Sequence, residues 1–285
     1  MLNEKKIKEL VLVSLVADAY CLGAHWVYDE KQLQNASFDW NILNTPLSIW
    51  HKGKTAGEFT HYGDQTYWLY KFLENKDDFK AEEFLIYWNN KMKTYEGYID
   101  GASRQTIKNI EEGVSPSGSN SADLSIVGRI APLLKVSKTK AEFLKNVDSF
   151  VRLTHDSPKA LNASRFFAKV IWNLIEGKEL SVSIESIKDE FDTKIQAHIN
   201  KAIASKEADT FETIRNFGPA CDVDDGFAGA LHLLAKYDNL KEMLIENAKA
   251  GGDSSARAMI ASIIFMMNRP ASQIPQNWLS IKVTI

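Results

Sequence analysis

Residues 1–26 read MLNEKKIKELVLVSLVADAYCLGAHW, and within them Ile7, Leu10, Val11, Leu15 and Leu22 recur at helical intervals. Apolar side chains at that spacing share one side of a helix, so the stretch predicts a buried first helix. A cleaved leader is the competing reading. Asp18 interrupts the apolar run and no clear cleavage site follows, which favours the helix. No apolar run approaches the ~20 residues that cross a bilayer. The expectation is a cytoplasmic protein with no membrane partner.

The same spacing recurs down the chain. Helical patterns cover Tyr67 to Glu74, Ala81 to Tyr95, Ser103 to Glu112, Lys140 to Leu153, Pro158 to Glu176 and Ile187 to Ala204. Three more run from Ala228 to Tyr237, Leu240 to Ala250 and Ser254 to Met267. Pro158 suits a first helical turn, where its missing N–H costs little. Strand-like alternation is confined to Ser181–Ile184 and Ser280–Ile285, and neither has a hairpin partner. With no internal repeat and no low-complexity linker, residues 1–285 are predicted to form one all-α domain.

Composition sets the outer limits. Hydrophobic residues make up 45% and charged residues 25%, an ordinary globular mix, and seven Trp with fourteen Phe suffice for a large core. The formal net charge is −3 and no long basic run occurs. That argues against nucleic acid as a partner, because neutralising phosphates takes clustered Lys and Arg. Two distant cysteines, Cys21 and Cys221, make no disulfide framework and fit a reducing compartment.

Three Gly/Asp/Ser-rich turns touch the ends of apolar helices. They are Gly57 to Thr66, entering Tyr67-Trp68-Leu69; Ser115 to Asp123, entering Arg129-Ile130-Ala131-Pro132; and Gly251 to Arg257, entering Ala258-Met259-Ile260. Taken singly, Asp64 and Asp253 read as N-caps worth about 1 kcal/mol each. Taken together, they read as hard oxygen ligands and anion-binding helix starts gathered in one place.

In order and content these segments resemble the ADP-ribosylglycohydrolases. That family carries an early Gly-Asp-Ala-x-Gly helix, a Thr-Asp-Asp-Thr turn, a Gly-Asn-Gly segment ahead of Arg-Ile-Ala-Pro, and a late Gly-Gly-Asp-Thr-Asp-Thr turn. Here stand Ala17-Asp18-Ala19-Tyr20-Cys21-Leu22-Gly23, Gly63-Asp64-Gln65-Thr66, Gly118-Ser119-Asn120 ahead of Arg129-Ile130-Ala131-Pro132, and Gly251-Gly252-Asp253-Ser254-Ser255-Ala256. The resemblance implies a large orthogonal helical bundle, a two-magnesium site, and removal of ADP-ribose from a protein side chain or small acceptor. It implies Asp64 and Asp253 as the catalytic acids, and Asp64, Thr66 and Asp253 as metal ligands. Substrate contacts are implied for Asp18, His25, His61, Gln65, Ser119, Asn120, Ser121, Ser254, Ser255 and Arg257.

The departures bear on activity. Gln65 and Ser255 stand where the family has two more acids, and Gly63 and Ala256 replace hydroxyl residues. Magnesium demands octahedral oxygen coordination, and two carboxylates with two hydroxyls do not neutralise two such ions. The expectation is an incomplete binuclear centre holding at most one weakly bound Mg2+. Arg257, four residues after Asp253, shares its helix face and is a candidate to replace a metal there. Cys221 precedes three acids, a setting that opposes a reactive thiolate. The aromatics Tyr62, Tyr67, Trp68 and Tyr98 are candidates to stack on a nucleotide. Two functions follow: a hydrolase cleaving the glycosidic bond of an ADP-ribose-type conjugate, or an impaired relative that binds such a nucleotide or serves a structural role.

Overall fold

A computed structural model describes residues 2–285. Among the described residues thirteen α-helices follow one another. They are α1 Glu4–Cys21, α2 Glu30–Gln34, α3 His61–Leu73, α4 Ala81–Met92, α5 Gly101–Glu111, α6 Lys140–Arg152 and α7 Pro158–Ile175. The second half adds α8 Leu180–Glu185, α9 Thr193–Ala204, α10 Thr210–Phe217, α11 Val223–Lys236, α12 Leu240–Lys249 and α13 Ser254–Met266. Two 3-10 segments, Leu124–Arg129 and Ala131–Val136, carry the Arg-Ile-Ala-Pro stretch. Among the described residues no strand forms, and pairing is limited to isolated bridges such as Asp123 with Asp222. Among the described residues no helix is long and apolar enough to cross a membrane.

The centre is α1 packed on α13. Every residue of α13 is buried, and α1 is buried continuously from Val13 to Cys21. A helix apolar around its whole circumference must be enclosed on all sides. Here 124–129, α3, α11 and α12 supply that enclosure.

Helix starts follow the capping residues. Capped by Thr60, α3 starts at His61, six residues before Tyr67, and capped by Asp222, α11 starts at Val223, five residues before Ala228, because each cap side chain accepts an N–H of the first turn. Thr139 and Glu142 form a reciprocal capping box on α6. The strand-like patterns did not become strands: residues 180–185 form α8, and in the tail Lys282 N–H donates to the Gly57 carbonyl. Four alternating residues without a partner strand cannot satisfy their backbone, whereas one helical turn does so internally. The helix α10 lacked a predicted counterpart; it is a short amphipathic segment capped by Asp209.

Candidate functional site

An open cleft of about 630 Å³ lies between the loop before α3 and the loop joining α4 to α5. Its walls include Trp50, His51, Lys54, Asp64, Tyr95 and Tyr98. Asp64 sits in the first turn of α3, where free N–H groups favour negative charge. Its Oδ2 accepts from Lys54 Nζ and from the Tyr95 hydroxyl, each at 2.6 Å. Burial, followed by the charge of Asp64, pushes the Tyr95 phenol far up, so it remains a donor.

The neighbouring residues point elsewhere. Gln65 is buried beneath α4, where its Oε1 accepts from Trp88 Nε1 at 3.0 Å and Arg129 Nη1 at 2.9 Å. Thr66 donates its hydroxyl to the Tyr62 carbonyl one turn back. Gly63 has no room for the family's threonine, since a Cβ there would lie 2.3 Å from Asp18 Oδ2 and 2.8 Å from Phe59 Cβ. Asp18 itself accepts from the Thr60 N–H at 2.8 Å and the Thr60 hydroxyl at 2.7 Å, which ties α1 to the cap of α3. Burial raises its carboxyl to about 6 against the help of those hydrogen bonds.

Asp253 occupies a second, enclosed cluster. As the cap of α13 its Oδ1 accepts from Ala256 N–H, and its Oδ2 accepts from the Tyr62 hydroxyl at 3.0 Å. The same hydroxyl lies 3.4 Å from Asp123 Oδ2, and the ligand-capable atoms of Asp123, Cys221 and Asp253 all fall within 4.8 Å of one another. Burial comes first in raising both carboxyls, followed by the charge of Asp100 for Asp123 and by that of Asp123 for Asp253, which is raised to about 7. Gly251 and Gly252 enter this turn with positive φ, and a Cβ on Gly252 would meet the Pro219 carbonyl at 2.2 Å. Both glycines are therefore required by geometry.

Aromatic rings join the two regions. His51 on the cleft wall stands 5.2 Å from the His25 ring, and His25 Nδ1 is 3.4 Å from Asp253 Oδ1. Burial, followed by His51 and His61, holds His25 well below its ordinary value, so it is neutral. His61 Nε2 lies 3.3 Å from Asp100. Asp64 and Asp253 thus face different surroundings: Asp64 lines the cleft, while Asp253 sits among Tyr62, His25 and Asp123.

The remaining expected residues lie outside the cleft lining. Ser119 donates to the Thr154 carbonyl, Ser121 accepts from the Asp123 N–H, and Asn120 is exposed. Ser254 and Ser255 bury their hydroxyls without a hydrogen-bond partner. Arg257 does not form an ion pair with Asp253. Its guanidinium donates to Asn247 Oδ1 and to the carbonyls of Gly251 and Pro219, because those acceptors surround it in the core. Lys54 and Tyr95 have no sequence signal as site residues, whereas Cys221 reads only as an unreactive thiol and Asp123 only as the end of the second polar turn. Lys54 merely follows Gly53.

The residues do not fit a two-magnesium centre. Lys54 already neutralises Asp64, Gln65 is turned into the core, and Gly63 admits no hydroxyl. Two divalent ions need more anionic oxygen than this.

A helical bundle with these four turns in this order defines a class. A sequence model of the ADP-ribosylglycohydrolase family matches residues 2–281, and the chain belongs to that family. Among curated relatives, Crystallin J1A of Tripedalia cystophora is 22% identical over 96% of this chain and 91% of its own length. Crystallin J1B of the same organism is 23% identical over the same shares. A solved structure described as an ADP-ribosylglycohydrolase-related protein complex superposes with a TM-score of 0.74 at 16% identity, covering 97% of this chain and 92% of its own.

Proposed function

We propose that this protein hydrolyses the glycosidic bond of an ADP-ribose-type conjugate, with Asp64 as the working carboxylate of the cleft. The observation that carries this reading is the placement of Asp64 beside Lys54 and among Trp50, Trp68, Tyr95 and Tyr98 in one open cleft. Lysines suit the phosphates of such a substrate, and aromatic faces suit its base. Asp64, oriented by Lys54 and Tyr95, is placed to take a proton from an attacking water as the oxocarbenium-like centre develops. Asp253 is buried in the enclosed cluster and does not line the cleft, so in this scheme the leaving group takes its proton from solvent. At most one weakly held Mg2+ enters this scheme, and no step runs through it. Free Cys21 and Cys221 fit a cytoplasmic setting.

The Lys54–Asp64 pair also favours a second reading, in which the cleft binds the nucleotide without cleaving it. One experiment separates the two. Purified protein is incubated with ADP-ribosylated peptide, released ADP-ribose is measured, and binding of free ADP-ribose is followed by calorimetry. Hydrolysis requires release that is lost in Asp64→Asn. Binding without release supports the second reading, and neither binding nor release sinks both.

A further inference from the structure

The enclosed cluster behind Tyr62 has the donor set of a transition-metal site. Main-chain hydrogen bonds bring three separate segments to it. Leu124 N–H donates to the Cys221 carbonyl at 2.7 Å and Val223 N–H to the Ala122 carbonyl at 2.9 Å, which fixes Cys221 beside Asp123. Asp253 N–H donates to the Pro219 carbonyl at 2.7 Å, which pins the third ligand to the same loop. These pairings involve no side chain of the cluster, so the three donors are held together by the fold.

The two carboxyls there lack a basic partner. Asp123 and Asp253 are 8% and 1% exposed, and among the described residues neither pairs with a lysine or arginine. The buried guanidiniums of Arg129 and Arg257 direct their N–H groups to Gln65, Ser125, Asn247 and main-chain carbonyls. Two facing buried carboxylates call for a cation or a shared proton. The thiol decides between candidate cations, because a sulfur donor disfavours magnesium and calcium and suits a borderline ion.

We propose that Asp123, Cys221 and Asp253 form a site for one zinc-class divalent ion, with a fourth position left to water or the Tyr62 hydroxyl. Three protein ligands and one open position is the pattern of a reactive rather than a purely structural zinc site. Tetrahedral zinc wants donor atoms about 3.5 Å apart. The 4.8 Å spread therefore closes by about an ångström, through side-chain rotation at the partly buried Cys221. Binding releases the thiol proton to solvent, and the thiolate forms the metal–sulfur bond. This inference goes beyond glycosidic cleavage and does not depend on it.

The test uses the full chain, stripped of metal by a chelator and titrated with Co2+. One equivalent is expected to give four-coordinate visible bands together with a near-ultraviolet thiolate charge-transfer band, and Zn2+ is expected to bleach both. Cys221→Ser should abolish the charge-transfer band, and Asp123→Asn should weaken Co2+ binding about tenfold or more. Circular dichroism of each variant confirms folding. Should Cys221→Ser fail to fold, zinc protection of Cys221 against alkylation in the unmodified chain replaces it. Absence of a charge-transfer band, a band that survives in Cys221→Ser, or alkylation unaffected by zinc overturns the proposal. Stabilisation of the metal-free protein by Asp123→Asn, with no change in Co2+ binding, assigns the pair to a shared proton and also overturns it.

Discussion

With its ammonium 2.6 Å from Asp64, Lys54 supplies the positive charge that a metal ion would bring to that carboxylate. Lys54→Ala is therefore expected to expose Asp64 to divalent ions. Calorimetry should show Mg2+ affinity rising, while an unchanged titration would mean that the ammonium does not compete for the site. Asp18 offers a test of the electrostatics. Its carboxyl is raised to about 6 from an ordinary 3.8, so the folded state binds the proton more tightly than the unfolded state. The resulting stabilisation is fully present below about pH 3.8 and is lost as pH rises through about 6, a difference of about 3 kcal/mol. Asp18→Asn, which keeps one acceptor for Thr60 and removes the charge, should raise the melting temperature at pH 7.5 and lose that advantage near pH 4. Equal effects at both pH values would show that Asp18 carries no buried-charge cost. Arg257 behaves as a core donor rather than a metal substitute. Arg257→Ala should cost about 3–5 kcal/mol in urea unfolding, since it strands the carbonyls of Gly251 and Pro219 and opens a cavity.

At the scale of elements, each part of the site rests on a helix start. Thr60, Asp222 and Asp253 cap α3, α11 and α13, and the turns ahead of those caps carry the side chains that converge. Gly252→Ala is expected to displace the α13 entry, because its φ of 59° strains any L side chain and the Pro219 carbonyl blocks a Cβ. Destabilisation by more than about 2 kcal/mol should accompany lost protection of the Ser254 and Ser255 amides in hydrogen exchange. Native-like protection would mean that the turn adapts.

Across the whole molecule, the C-terminal segment acts as a clasp. Trp278 stacks on Tyr20 of α1 with ring centroids 3.9 Å apart, and its Nε1 donates to the Asn41 carbonyl at 2.7 Å. Trp278→Ala should cost about 3–5 kcal/mol by denaturant unfolding, and a loss below about 1 kcal/mol would show the clasp to be ornamental. The helical class, the single repeat-free chain, the buried α1 and the four family turns were all legible in sequence. Periodicity and capping are local properties that neighbouring residues specify. Tertiary structure alone decided that Lys54 reaches Asp64, that Gln65 turns to Trp88 and Arg129, and that Arg257 turns to Asn247. It alone brought Asp123, Cys221 and Asp253 together. Such pairings join segments distant in the chain, and a charged side chain takes whichever acceptor the packing of other helices leaves beside it. Spacing along one helix cannot report that.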